Sequence, residues 1–241
     1  MTGQAADLDV ASARGGAGGE RGPAAGGDGA PGLIADRAYR ELRGRIVTLR
    51  LPPGGVLREE ELMRELRIGR TPLREAVKRL AHENLVAVQP RRATIVTPVH
   101  EADIVHITEV RAELESQAAE LAARRLDDAG RERARALLAD LASLGSDDGE
   151  ALMRFDEGIH RFVYEAAGNP YLTETLERFF ALSLRIWHLV LNRVPGLGGA
   201  VHGQDRLLQA IVDGDGARAR ALMREHVLEF EREILEAFGR T

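Results

Sequence analysis

The chain of 241 residues contains no cysteine. It therefore has no disulfide bonds and no thiolate metal ligands, and a reducing cytoplasm is the expected location. Aromatic residues are scarce, at 4% of the chain, so its cores must consist mainly of Leu, Ala, Val and Ile. This composition favours helices packed on helices.

A long apolar run is also missing from the sequence. A membrane-spanning helix needs about 20 consecutive apolar residues, so we expect no membrane span. Residues 1–32 have almost no large apolar side chains and no apolar segment of a secretory signal, which predicts a disordered Gly/Ala-rich tail. The formal net charge of −5 argues against nonspecific coating of nucleic acid but allows a basic face on one domain.

Residues 33–98 combine helical spacing of apolar residues with two short alternating segments. Three helices and a two-stranded hairpin in this length predict a winged helix-turn-helix domain. The expected elements are helices at about 33–50, 59–66 and 70–84 and strands at 85–88 and 94–97.

Residues 99–241 lack strand signals and show long amphipathic segments separated by Gly, Pro and Asp. Short connections between such segments predict an antiparallel, all-α helical bundle. The expected helices are about 100–126, 127–144, 149–167, 170–193, 200–213 and 215–238. The predicted fold class is therefore mainly α, with an N-terminal winged helix-turn-helix and a C-terminal helical bundle.

The helix that begins near Arg70 has two distinct faces. At 100° per residue, four polar positions share one third of a turn, and four apolar positions lie roughly 120° away. The polar positions are Arg70, Thr71, Arg74 and Lys78, and the apolar ones are Leu73, Ala76, Val77 and Leu80. A cationic face beside a packed face predicts a recognition helix for DNA. The alternative is a solvated surface helix.

A basic hairpin tip, Gln89-Pro90-Arg91-Arg92-Ala93, lies between the two predicted strands. Beside a basic helix, Arg91 and Arg92 are expected to contact phosphates or the minor groove as part of a wing. The alternative is a solvated loop with no role in binding.

Asp156 and His160 are four residues apart and therefore neighbours on one helix. Their apolar surroundings indicate that this face points into the bundle, where an ionised carboxylate needs a partner. His202 and His226, on later helices, offer further nitrogen donors, and together with Asp156 and His160 they would form a divalent metal site. The alternative is that each histidine is separately buried or exposed.

Arg111 and Glu115 are also four residues apart. Their ordinary interpretation is an ion pair on a helix surface, whereas a buried Arg111 would be available to hold a ligand carboxylate. Trp187 is either a core residue or part of a cavity wall. We take Arg111, Arg185 and Trp187 as candidate effector-binding residues, and we assign no ligand role to His188.

Catalytic motifs are sparse in this sequence. It has no Gly-x-Ser-x-Gly motif, no His-Glu-x-x-His motif and no glycine-rich phosphate loop after a strand. A metal-dependent hydrolase or lyase with an accessory nucleic-acid-binding domain is the alternative function, with Glu157 as the one nameable general base. A third interpretation is a DNA-binding dimer that takes no effector.

With these residues identified, the chain resembles the GntR family of bacterial transcription regulators, in its FadR-type subfamily with an FCD domain. The resemblance covers about residues 33–238. It rests on Leu51-Pro52-Pro53-Gly54-Gly55-x-Leu57, Arg70-Thr71-Pro72-Leu73-Arg74-Glu75-Ala76, Leu80-x3-Asn84-Leu85-Val86, Arg111-x3-Glu115, Asp156-x3-His160, Ala167-Gly168-Asn169-Pro170, and His202 through Asp213-x-Asp215 to His226.

The resemblance implies a homodimer whose winged domains each occupy one half-site of a palindromic double-stranded DNA operator. Arg70, Thr71 and Arg74 match DNA-contact positions of the family. The resemblance further implies a metal held by Asp156, His160, His202 and His226 beneath an effector pocket. That metal is commonly zinc and sometimes nickel or manganese, and the effector is commonly a small carboxylate. The implied function is that of a ligand-responsive repressor.

The sequence departs from the family pattern in four places. Gly69 replaces a common Ser or Thr, which removes a helix-capping hydroxyl. Glu60 stands where some relatives have a DNA-contacting Arg, and Asn84 replaces a common Gly. Arg92-Ala93 replaces the usual glycine-bearing wing tip, so we expect a different wing geometry.

Overall fold

The computed structural model describes residues 31–89, 93–143, 149–190 and 203–239. The N-terminal part contains helices α1 (Pro31–Val47), α2 (Glu59–Leu66) and α3 (Arg70–His82) and strands β1 (Val56–Leu57), β2 (Val86–Val88) and β3 (Thr94–Val96). The C-terminal part contains helices α4 (Glu101–Arg125), α5 (Asp128–Ser143), α6 (Gly149–Ala166), α7 (Pro170–Val190), α8 (Gln204–Val212) and α9 (Gly216–Gly239). The mainly α fold class is thus confirmed, with a helix-turn-helix segment followed by a helical bundle.

The small sheet has three strands in the order β1-β3-β2, so the predicted hairpin is present as β2 and β3, and β1 is an additional strand that was not predicted. β3 pairs antiparallel with both neighbours, and Val56 lies opposite Ile95 in the added pair. The pairing extends into the preceding turn, where Gly54 N–H donates to Val96 O at 2.9 Å. A strand of two residues is too short to show alternation in a sequence, which explains why β1 was missed.

The apolar face of α3 packs as its spacing predicts. Leu73, Ala76, Val77 and Leu80 are all buried. They meet Leu42 and Ile46 of α1 in one apolar cluster. Burial of each large side chain contributes about 1.5–3 kcal/mol, so this cluster fixes the orientation of α3 and leaves its opposite face outside.

The turn between α2 and α3 is closed by backbone geometry. Arg67 adopts a left-handed conformation with φ of 52°, and Ile68 N–H donates to Met63 O at 3.1 Å, which ends α2. Gly69 then begins α3 without a side-chain hydrogen bond, as the missing hydroxyl at this position leads us to expect.

In the bundle, α4 packs along α9. The two helices run antiparallel, because Arg220 pairs with Glu120 whereas Arg224 pairs with Glu113, about two turns earlier along α4. The buried face of α4 is rich in alanine, and small side chains allow helix axes to approach closely. Within the described residues, no helix is long and apolar enough to cross a lipid bilayer.

Helix α7 contacts both parts of the chain. Leu182 belongs to the same apolar cluster as the cores of α1 and α3. Arg43 of α1 donates to the carbonyl O of Glu177 at 2.7 Å. Arg185 donates to Thr97, the residue that follows β3. The N-terminal part therefore rests on one helix of the bundle.

Candidate functional site

The polar face of α3 lies on the outside of the molecule. Arg70, Thr71, Arg74 and Lys78 are exposed, with 63% of the Arg74 side chain and 75% of the Lys78 side chain accessible. These are the four positions that the sequence predicts for DNA contact on this helix. Their arrangement is suited to a polyanion, because four neighbouring side chains offer three cations and one hydroxyl.

Acidic side chains lie beside these cations. Arg74 Nε is 3.8 Å from Glu59 Oε2, and Lys78 Nζ is 3.3 Å from Glu75 Oε2. Exposed ion pairs of this kind contribute only about 0–1 kcal/mol, so a phosphate group is able to displace the carboxylates. The carboxylates therefore orient Arg74 and Lys78 but leave both cations able to bind phosphate.

The predicted wing residues Arg91 and Arg92 lie outside the described residues. The residues that flank this segment are hydrogen-bonded to each other, because Gln89 N–H donates to Ala93 O at 3.0 Å. The contacts predicted for Arg91 and Arg92 stay a prediction.

Inside the bundle, α6 and α9 bring three potential metal ligands together: Asp156, His160 and His226. The two imidazole Nε2 atoms are 3.0 Å apart. Asp156 Oδ1 lies 3.3 Å from His226 Nε2, and Asp156 Oδ2 lies 3.6 Å from His160 Nε2. Asp156 Oδ1 also accepts a hydrogen bond from Gln204 Nε2 of α8. His202, the fourth predicted ligand, lies outside the described residues.

The spacing of these three residues fits a divalent cation. Zinc lies about 2.0–2.1 Å from nitrogen or oxygen ligands, so neighbouring ligand atoms in a tetrahedral site are about 3.3 Å apart. The observed separations of 3.0 to 3.6 Å bracket that value. Two imidazoles and one carboxylate also form a donor set suited to first-row divalent metals.

Glu115 of α4 contacts His160 at Nδ1, the ring nitrogen that does not face His226. Its Oε2 lies 2.6 Å from His160 Nδ1, and its side chain is 0% exposed. Metal-bound imidazoles commonly place their second ring nitrogen against a carboxylate in this manner. Burial alone would lower the pKa of His160, but the charges of Glu115 and Asp156 outweigh that effect and raise it to about 9.

Arg111 forms a buried ion pair with Glu115, at 2.5 Å between Nε and Oε1. Burial would raise the pKa of Glu115, but the charges of Arg111 and His160 lower it to about 2. Arg111 Nη1 also donates to Ser183 Oγ of α7 at 2.5 Å. The interpretation of Arg111 and Glu115 as a surface ion pair was therefore wrong, because both side chains lie on the buried face of α4.

The other candidate effector residues lie further along α7. Arg185 Nη1 donates to Thr97 Oγ1 at 2.9 Å and to the Thr97 carbonyl O at 3.2 Å. The ring of Trp187 packs on Phe230 with centroids 5.2 Å apart, and its indole N–H has no acceptor among the described residues. The structure thus places Arg185 at the contact between the two parts of the chain. His188 is half-buried, and burial lowers its pKa.

Two side chains of the site were not identified from the sequence, Gln204 and Ser183. Gln204 precedes Leu207 and Leu208 by three and four residues, so helical periodicity places it on the same inward face. Ser183 lies within an otherwise apolar stretch of α7. In both cases the sequence signal was a polar residue at a helix position whose neighbours one turn away are apolar.

Two protein-family models match the chain. Residues 34–96 match the model described as bacterial regulatory proteins, gntR family. Residues 106–229, about half of the chain, match the FCD domain. The family resemblance inferred from the motifs is confirmed.

Curated relatives are transcriptional regulators. The HTH-type transcriptional repressor GlaR of Escherichia coli strain K12 is 29% identical over 199 residues, which cover 79% of this chain and 90% of that repressor. An uncharacterized HTH-type transcriptional regulator of Streptomyces ambofaciens is 30% identical over 193 residues, or 78% of this chain and 80% of that protein.

Solved structures show the same fold. Escherichia coli McbR/YncC has a TM-score of 0.73 at 23% identity and covers 86% of this chain and 98% of its own. A transcriptional regulator GntR from Rhodococcus sp. RHA1 has a TM-score of 0.68 at 20% identity, over 85% of this chain and 98% of its own.

Proposed function

The chain belongs to the GntR family of DNA-binding transcriptional regulators and carries an FCD domain, and from this premise we propose that it is a ligand-responsive repressor acting in the cytoplasm. The observation that carries this proposal is the exposed cationic face of α3, which lies opposite a fully packed apolar face. This geometry allows the helix to enter a major groove while its own domain stays folded.

The protein binds DNA as a homodimer in this proposal. Each α3 reads one half-site of a palindromic operator, with Arg70, Thr71 and Arg74 at the base edges and Lys78 at the backbone. Arg91 and Arg92 add contacts from the wing. A two-fold axis in the protein matches the two-fold symmetry of such an operator.

A divalent cation is held in the FCD domain by Asp156, His160 and His226, with His202 as a further predicted ligand. Zinc, nickel and manganese are the candidates. The bound cation would supply a positive charge for the oxygen atoms of a small carboxylate effector. Glu115 fixes the orientation of His160 for this purpose.

The effector is bound by Arg111, Arg185 and Trp187 in this proposal. Arg111 is oriented by Glu115 and Ser183, which makes it a preorganised partner for a carboxylate. The indole N–H of Trp187 is a buried donor that has no acceptor among the described residues, so an effector oxygen would satisfy it.

Helix α7 connects the effector site to the DNA-binding domain. Ser183 faces Arg111, whereas Leu182 and Arg185 contact the N-terminal domain. A shift of α7 on effector binding therefore changes how the two α3 helices of a dimer are spaced. A coupling free energy of about 1–3 kcal/mol changes DNA affinity about 5- to 150-fold.

Selection of DNA sequences from a random duplex library tests the DNA-binding part of this proposal. We expect purified full-length protein to enrich a palindrome, and a mobility-shift assay with that palindrome to respond to carboxylates screened one at a time. Failure to enrich any duplex would contradict the proposal. A palindrome without any responding carboxylate would favour a DNA-binding dimer that takes no effector.

The alternative of a metal-dependent hydrolase or lyase is not supported. The family and the named relatives are transcriptional regulators and not enzymes. Glu157, the one residue proposed as a general base, pairs with Arg161 at 2.6 Å.

A further inference from the structure

Gln204 lies in an unusual place for an amide side chain. It is the first residue of α8 and is only 1% exposed. Leu207 and Leu208 of the same helix are fully buried and hold this face of α8 against the bundle. The amide is therefore fixed at the metal-ligand cluster by the packing of its helix, rather than reaching it as a flexible surface chain.

Only one end of this amide has a hydrogen-bond partner. Nε2 donates to Asp156 Oδ1, the oxygen that lies 3.3 Å from His226 Nε2. Oε1 is buried and has no partner among the described residues. A buried acceptor without a partner is unfavourable, and an ion or water at that position is one physical explanation for it.

The present orientation of the amide is the one that a metal-free cluster requires. An ionised carboxylate only accepts hydrogen bonds, so Asp156 attracts the N–H2 end of Gln204. A cation between Asp156 and His226 would reverse this preference, because it repels the amide hydrogens and attracts the amide oxygen. Rotation of the amide plane by half a turn exchanges the two ends without moving α8.

We propose that Gln204 is a metal ligand, which binds the cation through Oε1 together with Asp156, His160 and His226. This inference rests on the proposed function of the cluster as a divalent-metal site. It adds a second oxygen donor to the carboxylate of Asp156 and the imidazoles of His160 and His226. Amide and carboxylate oxygens suit Mn²⁺ better than additional imidazole does, so Gln204 shifts the preference of the site from Zn²⁺ and Ni²⁺ towards Mn²⁺.

Calorimetric titration of metal-free, full-length protein with Mn²⁺ and with Zn²⁺ tests this inference. Gln204→Met keeps the length of the side chain and removes both amide ends, and we expect it to weaken Mn²⁺ binding about tenfold or more. Gln204→Glu retains an oxygen donor at the same reach, and we expect it to retain Mn²⁺ binding. Gln204→His should raise the affinity for Zn²⁺ relative to that for Mn²⁺.

Gln209→Met is the matched control, since it makes the same substitution at an exposed glutamine of the same helix. We expect it to bind Mn²⁺ as the unaltered chain does. Circular dichroism of each metal-free variant checks that a loss of binding is not a loss of fold, and Gln204→Glu and Gln204→His remain informative if Gln204→Met fails to fold.

Two results would overturn the inference in distinguishable ways. If the unaltered chain binds the metals and folded Gln204→Met binds them equally well, Gln204 is not a ligand but the metal site stands. If the unaltered chain binds neither Mn²⁺ nor Zn²⁺, the proposed metal site fails and the role of Gln204 fails with it.

Discussion

Arg185 donates two hydrogen bonds to Thr97, one to its Oγ1 at 2.9 Å and one to its carbonyl O at 3.2 Å. Thr97 in turn donates from its Oγ1 to Asn84 O, in the loop that follows α3. The helix that carries Ser183 is thus bonded to Thr97 at one end of the β2–β3 hairpin and, through Thr97, linked to Asn84 at the other end. Together with the bond from Arg43 to the carbonyl O of Glu177, this bond links the FCD domain to the N-terminal domain.

Arg185→Ala is expected to separate DNA binding from its control. The variant removes the bonds to Thr97 but leaves α3 intact, so it should bind the operator while losing most of the change in affinity on effector or metal addition. The measurement is the ratio of operator Kd values with and without ligand, at ligand concentrations that saturate the variant, because Arg185 is also a proposed effector residue. Arg154→Ala, which removes an exposed arginine on α6, is the control and should keep the normal ratio. An unchanged ratio in Arg185→Ala would exclude this route of coupling.

Arg74→Ala is expected to abolish operator binding in a mobility-shift assay. A good contact between an arginine and a base is worth about 1–3 kcal/mol, and a dimer loses two of them. The side chain is exposed and has only a 3.8 Å contact with Glu59, so the fold, the dimer and the metal content should be unaffected. Arg135→Ala, an equal loss of charge on α5, should bind normally. Normal operator affinity in Arg74→Ala would refute the role of α3.

The sequence predicts those features of the molecule that depend on the spacing of residues within a single helix. The two faces of α3 follow from the spacing of Leu73, Val77 and their neighbours, because large apolar residues mark a helix period clearly. Asp156 and His160 were found together for the same reason, since they are one turn apart. Local periodicity therefore identified both regions on which the proposed function rests.

Contacts between distant segments were not available from periodicity. The buried face of α4 is built largely from alanine, which is common on exposed faces too, so burial of Arg111 and Glu115 was not apparent. The bond from Arg185 to Thr97 joins residues 88 positions apart. Such contacts depend on how the helices pack against one another, and the spacing of residues within one helix does not predict that packing.

His160→Ala is expected to lower the metal content of the purified protein and to remove its response to ligand. The imidazole contributes one of three clustered ligand atoms, and a site that has lost this nitrogen donor binds a metal more weakly. Metal content measured by mass spectrometry tests this expectation. His226→Ala should have the same effect with less damage to the fold, because His226 is less buried than His160.

His106→Ala is the control for both histidine variants, since His106 is an exposed residue of α4. It should retain the metal content of the unaltered chain. Unchanged metal stoichiometry in folded His160→Ala and His226→Ala would count against the cluster as a metal site, whatever the DNA-binding behaviour of these variants.

Glu115→Gln is expected to destabilise the fold by about 3–5 kcal/mol, because it leaves the buried guanidinium of Arg111 without its counter-charge. Glu150→Gln removes one partner of an exposed pair with Arg154 and should cost less than about 1 kcal/mol. Denaturant unfolding of the metal-free protein measures both changes.

A double variant separates the effect of charge on stability from the effect of side-chain volume in the pair of Arg111 and Glu115. Arg111→Met with Glu115→Leu removes both charges and keeps the core filled, so it should recover most of the stability that Glu115→Gln loses. It should nevertheless lose the response to carboxylates, because the guanidinium that we propose for effector binding is gone. Recovery of stability together with a retained response would show that Arg111 serves the fold alone, whereas stability without response would show that the pair serves the binding of effector or metal, and the metal content of the variant distinguishes the two.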